Sequence, residues 1–237
     1  MSSIGKKIAI IGGGVAGLLA AVTAADEGAK VLLFEKMPKV GLKMGITGKG
    51  RCNLTNSAPI MDFISKTPGN GKFLYSAYEA FSNEDLLQLL HQYGLSTKVE
   101  RGGRVFPASD DAQEVRHLFM RLLREKSVDL HLNEPVSHIV VIDGEAKGVV
   151  TDKDRYDADA VILCTGGASY PRTGSTGDGY RMAKEVGHKV TTIRPALIPL
   201  VCQESWCQEL QGLSLKNVTL SLDGGGRRKA EAFGEML

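Results

Sequence analysis

Between Ile8 and Glu35 the chain passes from a short apolar run, through three successive glycines, into an uncharged stretch rich in alanine and leucine, and out through a second apolar run. Few folds accept that order. Lys7–Ile11 reads as a buried strand, Ala16–Glu27 as a helix with Leu18, Leu19, Val22 and Ala25 on one face, and Lys30–Glu35 as a second strand. Gly28 closes the helix, and the unit makes a right-handed crossover in a parallel sheet. Gly12, Gly14 and Gly17 fall as GxGxxG at the strand-to-helix turn. The first permits the tight turn, the second lets backbone approach a pyrophosphate, and the third lets the helix pack closely. Ala16 lies in the first helical turn, where phosphate oxygens meet the positive end of the helix. Glu35 ends the second strand and can accept from ribose hydroxyls, while its charge disfavours a 2′-phosphate. The segment therefore predicts a dinucleotide site and argues against NADP there.

The same stretch, Ile8–Ala25, is uncharged and comes after Lys6 and Lys7, as a signal or membrane anchor would. Gly12, Gly13 and Gly14 argue against that reading, since each costs an apolar helix about 0.8–1 kcal/mol but suits a turn. With 29 basic and 27 acidic side chains the net charge is +2, too small a field to imply nucleic acid or an anionic membrane as partner. Cys52, Cys164, Cys202 and Cys207 offer neither CxxC nor zinc-site spacing, so no metal is expected, and a cytoplasmic setting is. The five histidines are scattered without metal spacing.

The segment after Glu35 separates FAD-type from NAD-type domains, because a nicotinamide domain continues at once with another helix and a third parallel strand. Here 36–56 reads instead as a long loop rich in glycine and lysine. Helices are predicted at Lys72–Phe81 and Glu84–Tyr93, the second capped by Ser82 with Asp85 at its third position and ended by Gly94. A hairpin of Thr97–Glu100 and Arg104–Phe106 comes next, then a helix started by Ser109 or Asp110, whose stripe of Val115, Leu118, Phe119, Leu122 and Leu123 reads as core. Asp129–Leu132 is a strand, and Val136–Asp143, Ala146–Thr151 and Arg155–Tyr156 alternate with turns as an antiparallel meander. Ala160–Cys164 is a continuous apolar run, as in a parallel strand buried on both faces, ending in Thr165, Gly166 and Gly167 at a ligand. After the helix Asp178–Gly187, short strands with a glycine turn at Asp223–Gly226 predict a second, β-rich domain from Arg194. The expected organisation is a Rossmann-like domain over 1–193 and a partial β-rich inserted domain over 194–237.

Two further constellations carry chemistry. Thr47–Asn56 reads TGKGRCNLTN, dense in glycine, hydroxyl, amide and guanidinium groups. A guanidinium at Arg51 can pair with pyrophosphate, and amide and hydroxyl groups can hold the polar edge of a flavin ring. Thr165–Gly167, Ser169–Pro171 and Thr173–Tyr180 form the other. In it Asp178 can cap the helix it opens or bind a sugar hydroxyl, and Tyr170 can face the ligand or pack.

Through Gly12–Gly17, Glu35, Lys43, Gly48–Asn56 and Thr165–Tyr180, the sequence resembles the HI0933-like flavoprotein family, also described as aminoacetone oxidase-like or BaiN-like FAD-dependent oxidoreductases. The resemblance implies an α/β fold of the glutathione-reductase type with an antiparallel β-meander, and FAD as cofactor. It implies that Gly48–Asn56 runs beside pyrophosphate and flavin, making Gly50, Arg51, Cys52, Asn53 and Thr55 cofactor-side candidates with Lys36 and Lys43. Cys52 reads better as a small buried side chain than as a catalytic thiol. Val136, at the start of the meander, stands where related flavoproteins contact adenine through backbone atoms. Thr165, Gly166 and Asp178 complete the candidates, and no catalytic residue is assigned. The family continues well beyond Leu237, so the expectation is a piece of a longer protein.

The leading expectation is an FAD-dependent oxidoreductase acting on a small molecule. No second GxGxxG marks a nicotinamide domain, which leaves NAD(P)H and oxygen both open as redox partner. The alternatives are an incomplete FAD-binding fragment without catalysis and a flavin-dependent RNA-modifying enzyme.

Overall fold

The computed structural model describes residues 5–195 and 201–236. It divides into two compact units, Met1–Val190 and Thr191–Leu237.

In the first unit, β1 (Lys7–Ile11), α1 (Val15–Asp26) and β2 (Lys30–Glu35) form the crossover that the opening segment predicts. The helix ends in a Schellman arrangement: Gly28 is left-handed at φ 82°, and the N–H groups of Gly28 and Ala29 donate back to Ala25 and Ala24. The long segment after Glu35 is not wholly loop. It contains α2 (Leu42–Ile46) and a short 3₁₀ turn at Thr47–Gly50, then β3 (Thr55–Asn56) and α3 (Ile60–Lys66). The single helix expected at Lys72–Phe81 is divided into a 3₁₀ turn at Gly71–Leu74 and α4 (Tyr75–Ala80). Next, α5 (Asn83–Gln92) carries the predicted capping box, with Ser82 accepting from the Asp85 N–H and the Asp85 carboxylate accepting from the Ser82 N–H.

β4 (Thr97–Val99) and β5 (Arg104–Pro107) pair as the expected hairpin, and β3 adds to it as a third strand. The N-cap of α6 (Ala112–Glu125) is Asp111 rather than Ser109 or Asp110; its carboxylate accepts from the Gln113 N–H, while Asp110 is spent on ion pairs. β6 (Asp129–Leu132) leads into the meander of β7 (Val136–Ile142), β8 (Glu145–Thr151) and β9 (Arg155–Asp157), paired in that order. β10 (Ala160–Leu163) and α7 (Asp178–Glu185) complete the unit.

The parallel sheet has the order β10-β1-β2-β6. β10 therefore lies at its edge among the described residues and is half-buried or exposed along its length, not buried on both faces as its apolar run suggests. β1 and β2 alternate strictly. Ile10, Val31 and Leu33 face α1 and α6, whereas Ala9, Ile11, Leu32 and Phe34 face Val136 and Val149 of the meander and Met182 of α7. Helices α1 and α6 cover one face of the sheet, the meander and α7 the other, so the loops at its C-terminal edge are left to form a site.

In the second unit, α8 (Trp206–Glu209) precedes the hairpin β11 (Leu215–Gly224) and β12 (Arg227–Met236). Any strand that the sequence suggests within 196–200 lies outside the described residues. No helix among the described residues is long and apolar enough to cross a membrane.

Candidate dinucleotide site

A cavity of about 740 Å³ opens at the C-terminal ends of β1, β2 and β10, within the usual range for small-molecule and cofactor pockets. The turn between β1 and α1 forms one wall. Gly12 is left-handed at φ 105° and a Cβ there would stand 2.5 Å from the Cys164 carbonyl oxygen, while a Cβ on Gly17 would stand 1.8 Å from the Gly12 carbonyl oxygen. Gly14 has nothing within 4 Å of its would-be Cβ, so backbone is laid open to the cavity there. The first-turn N–H groups of α1 have no intrahelical acceptors and lie beside it, as an anionic ligand requires.

Glu35 lines the cavity and also organises it. Its Oε2 accepts from the Gly13 N–H and its Oε1 from the Met37 N–H, both at 2.8 Å. Each oxygen retains a lone pair for a further donor, so the two bonds orient the carboxylate without using it up. Lys36, next in sequence, donates to Asp178 Oδ2 and Thr176 Oγ1 at 2.6 Å each. Burial works against the charge on Asp178, but Lys36 prevails and holds the carboxyl below its ordinary range. The N-cap of α7 is Gly177, so Asp178 is the first residue of the helix and its carboxylate is held by Lys36. Of the two roles open for Asp178 in the sequence, capping is thus excluded.

Of the sequence candidates, Gly12, Gly14, Ala16, Glu35, Lys36, Lys43, Cys52, Asn53, Val136, Thr165, Gly166 and Asp178 line this one cavity. The others do not. Gly17 packs α1 onto the turn, the role its position in GxGxxG predicts. Gly50 is left-handed at φ 91° and shapes the loop from outside. Thr55 is spent on β3, opposite Val105. Arg51 turns away: its Nη1 lies 2.7 Å from Glu100 Oε1 and 3.4 Å from Asp110 Oδ1, and its guanidinium stacks 4.1 Å above Phe106. These partners hold Arg51 outside the lining of the cavity, away from the pairing that the sequence suggests. Cys52 is 2% exposed and burial pushes its thiol up to about 11, so it is a neutral packing group near neutral pH.

Sequence reasoning missed the support behind the Val136 end. Glu134 is 3% exposed, and its carboxylate accepts from Thr151 Oγ1 at 2.9 Å, Lys153 Nζ at 3.0 Å and His131 Nδ1 at 3.3 Å. Burial alone raises such a carboxyl, but bonds from Lys153, Tyr156, Thr151 and His131 together hold it down at about 2. Its backbone N–H donates to the Glu35 carbonyl, tying this network to the end of β2. No periodicity marks a lone glutamate before a strand. Val115 and Phe119, which read as plain core, also form part of the cavity wall.

Residues 6–229 match the family model described as the HI0933-like protein Rossmann domain. A 3-dehydro-bile acid delta(4,6)-reductase of Clostridium scindens is 37% identical over 199 residues, covering 82% of this chain and 47% of that protein. A ribosomal RNA dihydrouridine synthase of Escherichia coli is 28% identical over 208 residues, covering 86% and 50%. Among solved structures, a 3-ketosteroid-delta4-(5alpha)-dehydrogenase of Rhodococcus jostii shares the fold at a TM-score of 0.57 and 17% identity, covering 80% of this chain and 55% of that one. The chain spans about half the length of the curated relatives it matches.

Proposed function

The chain belongs to the HI0933-like Rossmann-domain family, and from that premise we propose that its first unit binds FAD as the dinucleotide-binding part of an FAD-dependent oxidoreductase. One observation carries the reading: twelve residues named from three separated sequence segments and the start of the meander line a single cavity at the C-terminal edge of the parallel sheet. Gly12, Gly14 and Ala16 receive the pyrophosphate at the start of α1. Glu35 and Lys36 serve the adenosine ribose, and Val136 offers backbone to adenine. Thr165, Gly166 and Asp178 meet the linker toward the flavin, and Lys43, Cys52 and Asn53 stand on the flavin side. FAD, when bound, supplies a two-electron carrier, and these residues supply orientation and electrostatics. The neutral Cys52 thiol fills space and takes no part in covalent chemistry.

For the substrate we propose a small molecule with a ring carbon–carbon double bond in line with a carbonyl. The names of the C. scindens and E. coli relatives both describe adding two hydrogens to a ring double bond, on a bile acid and on uridine. The RNA reading rests on the second name, and the near-neutral charge of this chain weighs against it.

The test is direct. The purified protein is expected to be yellow, with flavin near one per chain, and to be bleached anaerobically by NADH or NADPH or reoxidised by oxygen. A colourless protein that stays colourless with added FAD overturns the proposal. Salt-sensitive binding of ribosomal RNA at low ionic strength would move the substrate from small molecule to RNA.

A further inference from the structure

None of the described side chains of the second unit is buried. At its start the run Cys202-Gln203-Glu204-Ser205-Trp206-Cys207 folds into a turn that enters α8, with the Cys207 N–H donating to the Glu204 carbonyl and the Gln208 N–H to that of Ser205. The turn brings the two sulfurs and a carboxylate oxygen of Glu204 within 4.8 Å of one another. Both cysteines are free thiols.

We propose that Cys202, Glu204 and Cys207 form a three-ligand site for a thiophilic divalent cation of the zinc class, built wholly from second-unit residues. Zinc binds sulfur at about 2.3 Å and carboxylate oxygen at about 2.0–2.2 Å, so two sulfurs on one tetrahedral ion stand roughly 3.8 Å apart. The observed cluster needs only a small closure to reach that geometry. Two sulfurs and one carboxylate select zinc over magnesium or calcium, which prefer all-oxygen shells. A fourth position stays open to solvent. Spacing does not reveal the set because C-x-E-x-x-C is neither CxxC nor a finger pattern; the helical turn supplies the proximity. Uptake displaces thiol protons and so weakens as pH falls.

The experiment titrates the reduced, full 237-residue chain with zinc chloride by calorimetry, and with cobalt chloride by absorption. One cation per chain and a thiolate-to-cobalt charge-transfer band are expected. Cys202→Ser and Cys207→Ser should each weaken uptake by at least the roughly 10–100-fold that loss of an outer-shell partner costs a metal site. Glu204→Gln should weaken it less, and Ser205→Ala not at all. Circular dichroism and flavin content matching the parent show that the variants fold. Uptake unchanged in both cysteine variants, no uptake by the reduced chain, or a Cys202–Cys207 disulfide that forms in a thiol buffer despite equimolar zinc would each overturn the proposal.

Discussion

Two strand tips bound the dinucleotide cavity, and each passes into a helix held close by a glycine. At the first, a Cβ on Gly17 meets the Gly12 carbonyl oxygen at 1.8 Å. At the second, a Cβ on Gly179 of α7 meets Thr165 Oγ1 at 2.2 Å. The obstacle is backbone in one case and a side chain in the other. Backbone at a turn pinned by the Gly12 N–H bond to the Phe34 carbonyl, 2.7 Å long, cannot step aside, whereas a threonine hydroxyl can change rotamer. The first tip is therefore an absolute constraint on sequence and the second a negotiable one.

Gly17→Ala should have the largest effect, more than about 4 kcal/mol of lost stability with loss of flavin, because the only relief is to move α1 off the sheet. Gly14→Ala is its control at the same turn. With nothing within 4 Å of the new Cβ, stability should stay within about 1 kcal/mol of the parent while flavin affinity falls, since the methyl occupies backbone now open to the cavity. Urea unfolding with and without FAD reads both. A Gly17→Ala protein as stable as the parent would break the distinction between the tips.

The first tip also leans on Glu134 through the Glu35 carbonyl. Its carboxyl titrates near 2 in the folded chain against an ordinary 4.5, so its stabilisation is complete above about pH 4.5 and is lost as pH falls through that window toward 2. The shift corresponds to roughly 3 kcal/mol at most. Glu134→Gln should cost stability near neutrality, and the gap to the parent should close as pH approaches 2. A gap that is independent of pH would show that packing, not charge, is what Glu134 contributes.

How much of the molecule is legible in its sequence depends on what holds each residue. GxGxxG can be read because one tight turn fixes its spacing, with Gly12 left-handed and Gly17 set against the Gly12 carbonyl, and the alternation of β1 and β2 comes from two buried sheet faces. The capping box at Ser82 is equally local. The ion pairs of Arg51 are not legible because its partners, Glu100 and Asp110, lie 49 and 59 positions away and nothing in the loop announces them. Glu134 is invisible for the same reason. β10 looks like a central strand because an apolar run records hydrophobic neighbours and says nothing about which edge of the sheet is paired.

At the negotiable tip, Gly179→Ala should cost about 1–3 kcal/mol, the usual range for an added methyl that forces a side chain to move. Combined with Thr165→Ala, which removes the hydroxyl in the way, most of that cost should be recovered; the two changes should be strongly non-additive in a double-mutant cycle. Additive losses would mean that backbone, not Thr165, sets the approach of α7.

The smallest effect is expected at the loop that the sequence assigns to pyrophosphate. Arg51 is one-third exposed, as are its acidic partners, so its ion pairs are screened and with the Phe106 stack contribute about 1 kcal/mol together. Arg51→Met should lose about that much stability while leaving the flavin dissociation constant and its salt dependence unchanged, because the guanidinium does not line the cavity. The opposite pattern is equally measurable by fluorescence titration of FAD at two ionic strengths. An affinity loss of about tenfold, about 1.4 kcal/mol, with a flattened salt dependence and intact stability, would mean that FAD draws Arg51 away from Glu100. The loop would then be a side-chain clamp that forms on binding, and the contrast between a fixed backbone tip and adaptable side chains would extend to the third wall of the site.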